Sequence, residues 1–150
     1  MAEDRLTDDG KRIFRELDKL ASQMVAVGFQ QGDVTEESGV DICDVAAFNE
    51  LGTEHIPSRP FMRQSIDGNA DKITEFMQSK VDEIIGGKTA DQVLKEIGIF
   101  QKGLVQETIK EGDFAPNAPA TIRKKGSATP LIDTGLMRQS VNYQIKKKGG

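Results

Sequence analysis

Between Ile73 and Ile109 the apolar residues of this 150-residue chain recur every three or four positions, with one break at Gly86-Gly87. Ile73, Phe76, Met77, Val81, Ile84 and Ile85 trace one helical face before the break. Val93, Leu94, Ile97, Phe100, Leu104 and Ile109 trace another after it. Paired glycines stop a helix because they give up the most backbone freedom in it. Thr89-Ala90-Asp91-Gln92 then has the spacing of a capping box, Thr89 bonding forward and Gln92 back. The spacing predicts helices over about 69–85 and 90–110, joined as an antiparallel hairpin. Gly98 and Gly103 weaken the second helix by about 1 kcal/mol each.

The rest of the chain must cover that hairpin. Ile13, Phe14, Leu17, Leu20 and Ala21 continue the helical period behind Thr7, a candidate N-cap, and predict a helix over 8–22. The period then changes to two. Val25, Val27 and Phe29 alternate with Ala26, Gly28 and Gln30, and Val141, Tyr143 and Ile145 with Asn142, Gln144 and Lys146. Strands near 24–30 and 140–146 are expected to pair in a small antiparallel sheet, followed by a frayed Lys-Lys-Lys-Gly-Gly tail. Residues 31–41 are polar and glycine-punctuated and predict a loop. Ile42, Val45, Ala46 and Asn49 share a helical face, so a short helix over 44–51 follows, with Gly52 as its left-handed cap. Pro57 and Pro60 forbid regular structure through 56–60. From 112 to 134 there is no period, and Pro116, Pro119 and Pro130 interrupt the chain. A run of this kind commonly forms a binding loop. The expected fold is α+β: one domain over 1–150, in which the sheet packs against the N-terminal helix and the hairpin, with long loops at 31–41 and 112–134.

With 37% hydrophobic residues and no tryptophan, the core is modest, and self-association is a plausible source of added stability. Cys43 is the only cysteine, which excludes an intrachain disulfide and reads as a small buried or half-buried hydrophobe. Met1-Ala2-Glu3-Asp4-Arg5 is acidic and polar, unlike a secretory leader, and no apolar run approaches the roughly 20 residues of a membrane span. A soluble protein made and kept in a cytoplasm, with no membrane partner, is the expectation. The formal net charge is −4, yet from Ala120 onward Arg123, Lys124, Lys125, Arg138, Lys146, Lys147 and Lys148 face Asp133 alone. A polarised subunit can pair its basic end with a neighbour's acidic body, head to tail; a solvated basic tail explains the same charges.

Catalytic groups do not converge in this sequence. His55 is the only histidine and Cys43 the only cysteine, so sites needing several of either are excluded. Glu54-His55 lies in an extended turn where adjacent side chains point apart, and Asp82-Glu83 and Glu36-Glu37 read as solvated faces. No phosphate loop, dinucleotide fingerprint or nucleophile elbow occurs. The expectation is a protein that is not an enzyme and uses no cofactor or metal. Arg123-Lys124-Lys125 and Lys146-Lys147-Lys148 carry no interleaved aromatics, which argues against sequence-specific nucleic-acid recognition and leaves non-specific DNA contact open.

Two segments carry a resemblance. Asn49-Glu50-Leu51-Gly52-Thr53-Glu54-His55-Ile56-Pro57-Ser58-Arg59-Pro60-Phe61-Met62 resembles the "EFGT … iPaRPF" signature of phage tail-component and virion-morphogenesis proteins, with Leu51 replacing the usual aromatic. Pro119-Ala120-Thr121-Ile122-Arg123-Lys124-Lys125-Gly126-Ser127, followed by Thr129-Pro130-Leu131-Ile132-Asp133-Thr134-Gly135-Leu136-Met137-Arg138-Gln139-Ser140-Val141, resembles the same family's "tIrrKgs…PLiDTG.lr.Sv" segment. The likeness spans about 42–145. It implies a tail-completion or neck protein of the head–tail junction, a virion component. Such a protein forms a ring, often a hexamer, around the DNA channel, between head-closure or adaptor proteins and tail-tube or tail-terminator proteins. A phage-encoded accessory protein that binds DNA non-specifically through its basic C-terminal segment is the alternative. In the first segment the glycine and prolines set a turn that presents Arg59 as a donor and Phe61 as a packing anchor, whether for the chain's own fold or for an interface. In the second, Asp133 and Thr134 resemble a capping device for the last strand, with Leu131 and Ile132 as apolar contacts, and both readings again apply. The 112–130 loop is the expected contact with other subunits or the tail tube.

Overall fold

A computed structural model describes residues 6–32, 39–111 and 135–149. Along the chain run α1 (Asp8–Ala21), β1 (Gln23–Gly28), α2 (Ile42–Leu51), α3 (Phe61–Asp67), α4 (Ala70–Ile85), α5 (Ala90–Glu111), α6 (Leu136–Ser140) and β2 (Asn142–Lys147). Helices dominate, and β1 and β2 form a two-stranded antiparallel sheet, so the α+β class holds. The described chain gathers into two compact units. One draws on Met1–Ala26, Ala70–Phe100 and Tyr143–Gly150, the other on Val27–Asn69 and Gln101–Asn142.

In the first unit the helical hairpin is built as its period implied. Phe76 stacks on Phe100 with ring centroids 3.9 Å apart, and Lys80, one turn on, meets Glu96, one turn back. Contacts that advance along α4 while they retreat along α5 mark antiparallel helices. The capping box is made in full: the Gln92 amide donates to Thr89 Oγ1 over 3.2 Å, and the Thr89 amide to Gln92 Oε1 over 3.0 Å. Helix α1 starts where Thr7 Oγ1 accepts from the Gly10 amide. Its polar side then closes both ends of the hairpin turn. Arg12 donates to the last carbonyls of α4, those of Ile84 and Ile85, and Glu16 accepts from the Ala90 amide that opens α5. Each charge sits where the helix dipole favours it.

Lys80 is the departure from the sequence reading of α4. It is buried beside Ile84, whereas Met77, Val81 and Ile85 of the expected apolar face stay exposed. Its ammonium bonds Glu83 and Glu96 and lies 4.6 Å from the centre of the Phe76 ring. Lys88 bonds the same two carboxylates, so four charges alternate around a closed ring. These bonds raise the pKa of Lys80, through Glu83 and then Glu96, and hold Glu96, through Lys80 and then Lys88, down at about 2. A buried lysine is sustained here because both remaining faces of its ammonium are satisfied.

Gly98 also reads differently in three dimensions. Far from merely weakening α5, it admits Tyr143 of β2: a Cβ there would stand 2.6 Å from Tyr143 Cγ and 2.7 Å from Cε2. The sheet's register is set by the Lys148 amide, which donates to the Ser22 carbonyl over 3.0 Å and so holds a lysine expected to fray. β1 ends at Gly28, short of the expected residue 30, and β2 begins at Asn142 rather than near 140 because Leu136–Ser140 is helical.

The second unit holds the main buried cluster, Ile42, Ala46, Phe61, Val105, Ile109, Met137 and Val141. Phe29 meets Phe61 edge to face, 5.9 Å between centroids. α3 and α6 were not anticipated; both are under two turns, too short to show a period.

Candidate functional site

The first family-like segment spans the end of α2, an irregular stretch over 52–60, and the start of α3. Asp41 opens α2 by accepting from the Cys43 amide over 2.8 Å, so the helix begins two residues before the expected 44. Ile42 and Ala46 face the core. On the other side Ala47, Phe48 and Leu51 are exposed, Phe48 to 45% and Leu51 to 75%. The outer face of α2 thus leaves two large apolar side chains uncovered beside the exposed Asp44.

Past Leu51 the chain reverses on a tight set of internal bonds. The Gly52 amide closes α2 onto the Phe48 carbonyl. Gly52 has φ +77 as a cap requires, but its ψ of 166 lies outside the left-handed helical region that the sequence suggested. A side chain there would also put Cβ 2.8 Å from the Ser58 amide nitrogen. Thr53 Oγ1 accepts from the amides of His55 and Ile56, and the Thr53 amide donates to the Ile56 carbonyl over 2.7 Å. Ser58 Oγ donates to the Glu50 carbonyl, and the Arg59 amide to that of Asn49. Pro60, at φ −78 and ψ 66, is the centre of an inverse γ-turn in which the Phe61 amide donates to the Arg59 carbonyl over 2.8 Å.

Glu50 finishes the turn. Its carboxylate accepts from the amides of Met62 and Arg63, at 2.8 and 3.1 Å, the first free donors of α3. Pro60 stands at the N-cap with no side chain able to take them. Sequence reasoning placed Glu50 in the motif without a role, because its targets lie 12 and 13 residues away. Asn49 was placed on the inner face of α2 and in the motif without a partner, and Ser65 was missed outright: Asn49 Oδ1 accepts from Arg59 Nη1 at 3.4 Å, and Ser65, fully buried, donates to the Met62 carbonyl. Arg59 is buried, which pulls its pKa down from the ordinary guanidinium value, and Phe61 is the core anchor expected of it. Glu54, His55 and Pro57 are exposed on the outer side of the turn.

Of the second family-like segment, Pro119, Thr121, Lys124, Lys125, Pro130, Leu131, Ile132, Asp133 and Thr134, with the whole 112–134 loop, lie outside the described residues, as does 33–38 of the first loop. Gly135 is left-handed, at φ 74 and ψ −6, and opens α6. Met137 and Val141 then enter the same buried cluster as Phe61, and α6 contacts α2. The two motifs thus meet in one core although more than 70 residues separate Phe61 from Met137.

The polar groups of the turn are thus largely taken by bonds within the chain. Among the described residues no group of three or more histidine, cysteine, aspartate or glutamate side chains is placed to hold a metal ion, and no helix is long and apolar enough to cross a membrane. A cleft of about 440 Å³ is lined by Gly103, Gln106, Glu107, Lys110, Arg138 and Gln139. No family model matches this chain, and neither a curated protein nor a solved structure matches it.

Proposed function

We propose that this chain is a structural subunit of the head–tail junction of a tailed bacteriophage, a tail-completion or neck protein that closes into a ring around the DNA channel and joins tail to head. Its partners in that role are copies of itself, the head-closure or adaptor proteins on one side and the tail-tube or tail-terminator proteins on the other. The observation that carries the reading is the outer face of α2. Phe48 and Leu51 stand one turn apart, both solvated, on a helix whose opposite face is core, and the bonded turn behind them leaves little entropy to lose on docking. The resemblance of both motifs to phage tail components supplies the context: Leu51 stands where those proteins carry an aromatic residue.

Static light scattering on the purified chain is expected to give a mass that is a multiple of 16.4 kDa. Imaging of virions with a labelled copy is expected to place it at the collar between capsid and tail. Virions that lack the polypeptide there would refute the assignment.

A further inference from the structure

We propose that the basic end of β2, Lys146 to Lys148, is a surface that binds duplex DNA through its phosphates, without regard to sequence. Placing DNA there extends the ring-subunit reading, on which its location in the channel rests. These lysines are held in place rather than frayed: Lys146 and Lys147 lie in β2, and the Lys148 amide is bonded to the Ser22 carbonyl. All three are exposed. Within the same unit Lys19, Lys80 and Lys88 are each taken by a carboxylate, whereas none of the ion pairs among the described residues involves Lys146, Lys147 or Lys148. With no ion pair to them among the described residues, Lys146 on the exposed row of β2, Lys147 on its other face and Lys148 just past its end make a basic strand tip that suits a polyanion.

The neighbouring side chains favour duplex DNA over an acidic protein or a single strand. Tyr143 and Ile145 are half-buried, so the exposed row of β2 is Asn142, Gln144 and Lys146. β2 itself exposes no aromatic ring for base stacking, which single-strand binding uses. The register puts Met24 across from Lys146, and a lone methionine is a poor substitute for the buried anchor cluster of a protein–protein contact. What remains is charge, the chemistry that meets a phosphate backbone.

The test is fluorescence anisotropy of a labelled 20-base-pair duplex with the full chain, beside light scattering of the same samples. Two phosphate contacts, the number one face of the strand tip can offer, predict that affinity falls about 12-fold between 50 and 200 mM salt. The variant K146Q/K147Q/K148Q is expected to lose at least about tenfold in affinity at 50 mM salt while keeping the wild-type mass. K146R/K147R/K148R is expected to retain binding. K11Q/K72Q/K95Q, which removes equal charge from exposed lysines of the same unit, is expected to do so too. Equal loss in that control would overturn the proposal, as would labelled poly-glutamate binding as tightly as the duplex, or a lysine variant that fails to assemble, since the row would then serve a protein contact. A wild-type chain that binds duplex yet never self-associates would sink the ring reading alone.

Discussion

Only glycine at position 98 lets the Tyr143 ring lie against α5. Gly98→Ala is therefore expected to destabilise the fold by about 1–3 kcal/mol, as overpacking does, although alanine is the better helix former. Thermal unfolding checks it: a melting temperature unchanged or raised would mean the contact is not made. Glu50 invites a second single-residue test. Glu50→Ala removes the acceptor for two amides at the start of α3 and is expected to cost about 1–2 kcal/mol. Hydrogen exchange should quicken at Met62 and Arg63, and protection that persists there would show another acceptor at work. Neither effect was legible in the sequence, where Gly98 reads as a defect in a helix and Glu50 as a motif residue with no partner in reach.

Between α4 and α5 the four-charge ring acts as a unit. Glu96 and Glu83 have pKa values lowered in the folded chain, Glu96 to about 2, against roughly 4.3 for an unfolded glutamate. A depressed carboxylate contributes stability above its unfolded pKa and loses it as pH falls through the folded value. The melting temperature is thus expected to decline between about pH 4 and 2, and Glu96→Gln to flatten that acid limb. Lys80 and Lys88, raised by the same bonds, contribute below the ordinary lysine pKa and lose their contribution as pH climbs beyond it. An acid limb unaltered by Glu96→Gln would place the acid sensitivity elsewhere. The two helices and their turn were readable from period, paired glycines and capping box. The ring was not, because a lysine within an apolar stripe looks like an interruption until the facing helix supplies its carboxylates.

For the molecule as a whole, the uncovered side of α2 carries the most direct prediction about assembly. Leu51 is too exposed to contribute much to the folding of the monomer, so Leu51→Asp should leave the helical circular-dichroism signal at about 25 °C unchanged and still reduce the oligomer seen by light scattering to a monomer. An oligomer that survives the substitution would move the subunit contact away from α2. Sequence by itself determined the class of the fold, the helical hairpin, the two strands and the turn at Gly52 to Pro60, since each follows from local spacing and from backbones that only glycine or proline favour. The tertiary structure alone decided that Phe61 and Met137 share a core, that Glu50 caps α3 and that Gly98 receives Tyr143. It also decided that Leu51 is left outside, that Lys146 and Lys147 lie in a strand and that Lys148 is bonded just past its end. Those outcomes depend on which distant residues meet, and the free energy of a contact between distant residues is set by packing and desolvation that local sequence does not encode.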